Sequence, residues 1–192
     1  MKSLFEEHLR GKNRSYTNLR FLGHYFYDME NNMQYAPVCI DYTSRDGKVI
    51  SENNLYLVGF TGSDTHWRVE GMASGEWGMS AGYYPNVAKF NDRYVVWTTR
   101  NDTHMKLSED KSSSDPNATE TNYLYKYRVT CQSGATYTWQ AMDGAGVFVL
   151  SKEEQPIRVV PLDASYNEVA AFAFDKDHLQ CVDVHTITEQ IW

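Results

Sequence analysis

The sequence predicts an all-β fold, a single antiparallel β-barrel preceded by a short N-terminal helix. Aromatic residues make up 14% of the 192 residues, and aromatic and β-branched side chains favour strands. Short apolar segments of about 5–9 residues, separated by Gly, Asn, Asp, Pro or Ser, follow one another along the chain, as is typical of antiparallel sheets. A single segment has helical spacing of its apolar residues.

This helical segment lies at the N-terminus. Leu4, Phe5 and Leu9 recur at helical spacing in residues 1–10, and Gly11 is a suitable helix end. We therefore divide the chain into a helical extension, residues 1–18, and a β-barrel domain, residues 19–192. A chain of this length fits one domain and can bury a sizeable core.

The pattern after Leu19 predicts roughly nine to eleven strands. The clearest is 93–100, where alternate residues form two faces. Asp46-Gly47 marks a tight hairpin turn, and the polar segment 108–122 is typical of a loop or lid. The other candidate strand segments are 20–27, 34–42, 55–60, 66–72, 87–90, 123–131, 135–142, 147–150, 157–160, 169–174 and 179–187.

Many short strands and almost no helix must bury their apolar faces in two packed sheets or in one closed sheet. Closure removes the exposed edges of an open meander, so we expect a barrel. Aromatic residues beyond the needs of a core would then line an interior cavity, which is the natural ligand site.

Composition excludes several classes of function. The net charge is −7 and no cluster of Lys or Arg stands out, so nucleic acid is not an expected partner. No apolar run is long enough to span a membrane, and Glu6 and Glu7 stand where a secretion signal would be apolar. The odd count of three cysteines fits reduced thiols. We therefore expect a cytoplasmic protein without a membrane partner.

Several pieces of the sequence carry a resemblance to a known family. The most specific is Gly-Met-x-x-Gly-x-Trp at residues 71–77. The others are Phe21-Leu22-Gly23, Tyr25-Phe26-Tyr27, Glu30-Asn31, Tyr35, Trp67-Arg68 and Tyr94-Val95-Val96-Trp97-Thr98. In order and spacing, residues 21–105 resemble the phenolic acid decarboxylases and the related MoaF-like proteins, which are calycin-type β-barrels allied to lipocalins. The resemblance covers less than half of the chain.

The resemblance implies a lipocalin-like barrel that removes carbon dioxide from hydroxycinnamic acids without a cofactor. A tyrosine pair grips the substrate in that family, and Tyr25 and Tyr27 match it. The family's arginine and glutamate are not retained, because Glu76 and Thr99 occupy the matching positions. An Arg-to-Glu exchange would repel a carboxylate that the family attracts. The resemblance therefore implies a retained scaffold with changed chemistry.

The candidate catalytic residues are Glu76, Tyr25, Tyr27 and Arg68. Glu76 precedes Trp77 in a strand expected to be largely interior, where desolvation would raise its pKa and suit it to acid–base chemistry. Each of these residues also has a non-catalytic interpretation. Glu76 could face solvent, the tyrosines could form a packing face, and Arg68 could pair with Glu70 on the surface.

The candidate substrate-binding residues are aromatic, or lie where the family holds its proton donor. They are Trp67, Trp77, Trp97, Thr99, Arg100 and His104. The tryptophans could equally be core, and the last two could be loop residues. Cys181, Asp183 and His185 share one strand face, but this spacing arises in any strand, so no metal is predicted.

Three functions remain open. The leading hypothesis is a cofactor-independent lyase, isomerase or cyclase that acts on a small aromatic or polyketide-like molecule inside the barrel. The second is a barrel that binds or carries such a molecule unchanged. The third is a structural or virion-type β module whose aromatic residues form only core. An unpaired strand edge would allow a homodimer, which the sequence does not select.

Overall fold

The computed structural model describes residues 1–12, 15–22, 25–63, 66–75, 85–99, 126–140, 145–162, 165–168 and 174–175. Elements are numbered in chain order, and one is a helix, α1 (Lys2–Gly11). The strands are β1 (Ser15–Phe21), β2 (Phe26–Asp28), β3 (Met33–Thr43), β4 (Val49–Ser63), β5 (His66–Gly75), β6 (Asn86–Phe90), β7 (Arg93–Thr99), β8 (Lys126–Cys131), β9 (Thr136–Gln140), β10 (Ala145–Val149), β11 (Pro156–Leu162) and β12 (Phe174–Asp175).

The strands form three sheets. The first has the order β1-β3-β4-β5, with β2 added to β3; the second has the order β10-β7-β6, and the third β12-β11-β8-β9. The strand pairs of the first and third sheets and the pair of β10 with β7 are all antiparallel. The prediction of a mostly β, antiparallel fold with one short helix is therefore confirmed. Over the described ranges the pairings are open paths, and none of them returns to its first strand.

The chain divides into two compact units. Unit 1 contains Met1–Gly75 and Ala88–Asp92, and unit 2 contains Glu76–Val87 and Arg93–Gln180. Each unit has a buried apolar cluster of its own.

The sheet of unit 1 is packed on both faces. On one face, Phe5 and Leu9 of α1 are buried against alternate residues of β3 and β4, such as Val38 and Val58. On the other face, the ring of Phe90 contacts that of Tyr35 at 5.2 Å between centroids. Every residue of β3 from Tyr35 to Tyr42 is buried, which explains why this segment reads as a nearly continuous apolar run.

The N-terminal helix is an integral part of unit 1. Its side chains Phe5 and Leu9 are almost completely buried, so α1 closes one face of the sheet. The helix ends at Gly11, as the sequence indicates, but strand structure begins at Ser15 rather than after residue 18. Alternation is hard to see in Ser-Tyr-Thr-Asn because the register shifts between Thr17 and Arg20, where Asn18 has a φ of 50°.

A buried carboxylate fixes two irregular points of this sheet. Asp41 accepts hydrogen bonds from the Asn18 side chain at 2.7 Å and from the Asn53 backbone N–H at 2.6 Å. Asn18 and Asn53 both have positive φ, a conformation that asparagine tolerates better than most residues. These hydrogen bonds, led by that from the Asn53 N–H, hold the pKa of Asp41 below its ordinary value.

Unit 2 has its own core between β8, β9, β10 and β11. Tyr127, Val129, Cys131 and Val159 are buried in it, and Trp139 and Phe148 pack against them. The rings of Tyr127 and Trp139 stack at 4.8 Å between centroids, and those of Trp139 and Phe148 lie 6.2 Å apart with planes only 5° apart. We call Tyr127, Trp139 and Phe148 the buried stack.

The predicted strands differ from the observed ones mainly at their ends. The segment 20–27 contains the end of β1 and the start of β2, because Leu22 and Tyr25 belong to neither strand. The Asp-Gly turn forms as predicted, with Gly47 at a φ of 84°. The predicted loop 108–122 and strand 179–187 lie outside the described residues. No helix among the described residues is long and apolar enough to cross a membrane.

Candidate functional site: an exposed ring surface on unit 1

The predicted tyrosine pair lies at the surface of unit 1. Tyr25 is 47% and Tyr27 is 45% exposed. Tyr27 belongs to the short strand β2, whose residues pair with Met33–Tyr35 of β3. Such a short added strand covers little of its neighbour, so its outward side chains stay in contact with water. Phe26 and Met29 in the same segment are also exposed.

The two tyrosines are held by rings that reach the core. Tyr25 contacts Phe21 at 5.6 Å, and Tyr27 contacts Trp67 edge-on at 6.1 Å between ring centroids. Phe21 and Trp67 are partly buried against the cluster that contains Phe5. We call Phe21, Tyr25, Tyr27 and Trp67 the ring surface. Each exposed ring of this surface therefore rests on a ring that is fixed by packing.

One edge of the ring surface carries polar groups in a defined arrangement. The Tyr27 hydroxyl donates to the Asn32 side-chain oxygen at 3.3 Å. Asn32 has a φ of 49°, and its carbonyl accepts from the Gly62 N–H at 3.3 Å. A Cβ on Gly62 would clash with the His66 carbonyl oxygen, so only glycine fits there. Desolvation raises the pKa of Tyr25, which keeps its hydroxyl protonated at neutral pH.

Arg68 lies apart from the ring surface. It follows Trp67 in β5 and therefore points to the other face of the sheet. Its side chain is 77% exposed, and its guanidinium lies 3.4 Å from the Glu70 carboxylate. This geometry is that of the surface ion pair described above as the alternative to a catalytic role.

The other predicted site residues divide into two groups. Trp97 is fully buried, and Thr99 pairs with Ala145 at the end of β7. Glu76, Trp77, Arg100 and His104 lie outside the described residues. Of the ten candidates, the structure thus places Tyr27 in contact with Trp67, and it places Tyr25 on the same segment as Tyr27, against Phe21.

A second polar group, in unit 2, has no counterpart in the sequence predictions. The Glu154 carboxylate accepts from the Ser133 hydroxyl at 2.6 Å. Burial, together with this carboxylate, raises the pKa of the Cys131 thiol to about 12 and raises that of Tyr137. The Gln132 N–H also bonds to the Gln155 carbonyl at 2.8 Å. Glu154 belongs to residues 151–155, about twenty positions after the β8–β9 turn in the sequence. Its hydrogen bond with Ser133 therefore connects this segment to the turn.

Among the described residues, no three His, Cys, Asp or Glu side chains are grouped so as to hold a metal ion. Cys181, Asp183 and His185 lie outside that part of the chain. Comparison with known proteins found no match of significance, either to a family model, to a curated protein or to a solved structure.

Proposed function

We propose that this protein binds a small aromatic or apolar molecule and that the ring surface is the binding site. The observation that carries the proposal is the near half-exposure of Tyr25 and Tyr27, each in contact with an anchored ring. Contiguous exposed apolar side chains are uncommon on soluble proteins and often mark binding sites. Binding without chemical change is the function that this open surface supports best.

The energetics of ring contacts set the expected affinity. Each ring–ring contact contributes about 0.5–1.5 kcal/mol beyond the burial of its area. A ligand that touches both tyrosines and Trp67 also benefits from their fixed positions, since little side-chain freedom is lost on binding. The two hydroxyl groups can hydrogen-bond a polar substituent, so a phenol is a suitable ligand.

The charge of the ring surface also indicates which class of ligand it should bind. The ring surface contains hydroxyl groups but no cation of its own, and Arg68 is engaged by Glu70 on the other face. A neutral phenol should therefore bind at least as well as a hydroxycinnamate anion. This expectation agrees with the loss of the family's arginine.

We infer further that the scaffold is a lipocalin-like β-barrel of the phenolic acid decarboxylase type. The consecutive antiparallel order of β3, β4 and β5 supports this assignment. The face that carries Tyr27 is the one covered by α1, since Tyr27 pairs with Gln34, two residues before Ala36 of the helix-covered cluster. In a closed barrel this would be the outer face.

Titration calorimetry with 4-ethylphenol, a neutral probe, and 4-hydroxycinnamate, its anionic counterpart, tests the proposed site. We expect Tyr25→Ala and Tyr27→Ala each to weaken binding of the neutral probe by roughly 2- to 12-fold, which corresponds to the loss of one ring contact. Tyr27→Phe should retain most of the affinity. Tyr166→Ala is the matched control, because Tyr166 is an exposed tyrosine of unit 2. Equal losses in Tyr25→Ala and Tyr166→Ala would reject the ring surface as the site.

A cofactor-independent enzyme is the second candidate function. It is favoured by a buried polar atom of β7, the Thr98 hydroxyl, which has no hydrogen-bond partner among the described residues. Buried polar groups of this kind call for a partner, and a substrate could supply it. In this hypothesis Glu76 is the general acid or base.

Mass spectrometry of the small molecule after incubation separates the two functions. A new mass that disappears in Glu76→Gln supports the enzyme, and an unaltered molecule supports the binding protein. Full turnover by a folded Glu76→Gln variant would exclude Glu76 from the chemistry.

A further inference from the structure

Two arginines of unit 2 share one carboxylate. Arg128 of β8 lies 3.0 Å from one oxygen of Glu168, and Arg158 of β11 lies 2.7 Å from the other. The three side chains are each about one third exposed. Glu168 comes from a segment beyond β11, and its backbone forms an isolated bridge with Leu162. A rigid sheet therefore supplies the cations, and a short connection supplies the anion.

The register of the strands places both arginines on one face of the sheet. Thr130 pairs with Arg158 and Arg128 pairs with Val160, so the two arginines are diagonal neighbours. Lys126 lies on this face too, two residues before Arg128, with its ammonium 3.7 Å from the centre of the Tyr166 ring. The opposite face is the apolar core that contains Tyr127 and Val129.

The charges on this face do not balance. By register, this face carries three cations, Lys126, Arg128 and Arg158, and two acidic residues, Glu168 and Asp175, the second of which pairs with Arg158. This local excess of positive charge stands in a chain of net charge −7. Each arginine gives Glu168 one of its several N–H groups in these contacts, and a guanidinium can serve a larger anion with two. The arginines, led by the hydrogen bond from Arg158, hold the pKa of Glu168 below its ordinary value, so it is ionised at neutral pH.

We propose that Arg128 and Arg158 form a binding site for a phosphate group and that Glu168 occupies this site until a phosphate displaces it. A phosphate dianion carries twice the charge of a carboxylate and has more acceptor oxygens, so it can compete with the tethered glutamate. Lys126 adds a third cation within the same face. The site lies in unit 2 and does not depend on the ring surface.

Binding of inorganic phosphate to the full-length chain, measured by calorimetry at constant ionic strength, tests the proposal. Removal of the competing carboxylate in Glu168→Gln should tighten phosphate binding by about tenfold or more, the scale of a charge-assisted pair. Glu52→Gln is the matched control, because it makes the same change of net charge at an exposed position of unit 1. Acetate, a monoanion, should bind much more weakly than phosphate to Glu168→Gln.

The arginines provide the second arm of the test. Adding Arg128→Gln or Arg158→Gln to Glu168→Gln should abolish the gained phosphate affinity. Equal phosphate binding by Glu52→Gln and Glu168→Gln, or affinity that survives loss of either arginine, would overturn the proposal. If Glu168→Gln does not fold, the wild-type chain decides the question: phosphate should raise its melting temperature more than chloride does, and Arg128→Gln should remove that difference.

Discussion

The ring surface of unit 1 and the buried stack of unit 2 use the same residue types in opposite ways. Tyr27 contacts Trp67 edge-on and stays nearly half exposed, whereas Tyr127 stacks on Trp139 and is fully buried. The difference arises from the strands that carry them. β2 is a three-residue strand added to β3, whereas β8 pairs on both sides, with β9 and β11. High aromatic content therefore indicates β structure, but it does not tell which rings are available to a ligand.

The largest expected effect is the difference between these two tyrosines in the free energy of unfolding that is lost when each is replaced by alanine. Tyr127→Ala should lower the free energy of unfolding by about 3–5 kcal/mol, because it leaves a cavity beside Trp139 in the core. Tyr27→Ala should cost about 1 kcal/mol or less, since it removes an exposed ring and one edge contact. Urea unfolding of both variants measures the difference. Similar costs for the two would show that Tyr27 is a core residue and that the comparison fails.

The second prediction tests whether side chains fill the space on the face of the unit 1 sheet that lies opposite α1. A Cβ at Gly59 would lie 2.8 Å from the Phe90 ring, so Gly59→Ala should cost about 1–3 kcal/mol of overpacking. Gly11→Ala is the control, because nothing lies within 4 Å of a Cβ there. Addition of Phe90→Leu should recover part of the loss, and the coupling between the two changes is measured by a double-mutant cycle. A neutral Gly59→Ala would mean that a space remains beside Phe90.

A smaller effect concerns the pH dependence of stability that arises from Cys131, which lies near the Glu154 carboxylate. The pKa of Cys131 is about 12 in the folded protein against an ordinary value near 9, so the folded state holds the thiol proton more tightly. The stabilisation is fully present below about pH 9 and is lost as the pH rises from there toward 12. The difference in unfolding free energy between wild type and Cys131→Ala should therefore shrink above pH 9. A constant difference up to pH 10.5 would contradict this.

Local patterns in the sequence explain which parts of the fold could be predicted. β3 and the middle of β4 follow from their apolar runs, β7 follows from alternation, and the Asp46-Gly47 turn follows from turn chemistry. The sequence also places Tyr25 and Tyr27 two residues apart. It does not reveal that both side chains are exposed, because exposure depends on whether another element covers β2. The helix α1 packs on the sheet through Phe5 and Leu9, which lie against residues of β3 and β4.

The polar clusters of unit 2 could not be predicted for a different reason. Glu168 is 40 positions from Arg128, and Glu154 is 21 positions from Ser133. No local spacing relates such residues, and they meet because β8 pairs with β11 and because the turns and connections next to these strands supply Ser133, Glu154 and Glu168. Arg68 and Glu70 are the contrasting case, since their separation of two residues already indicates a shared strand face.

Hydroxyl-radical footprinting with peptide mass spectrometry tests the central claim most directly. In the free protein, Tyr25, Tyr27 and Met29 should be oxidised rapidly, and Tyr127 and Trp97 should be protected. Saturating 4-ethylphenol should then slow oxidation of Tyr25 and Tyr27 and leave Tyr166 unchanged. Protection of Tyr25 and Tyr27 in the free protein, or slowing at Trp97 instead of at these tyrosines when the phenol is added, would contradict a surface site and point to an enclosed one.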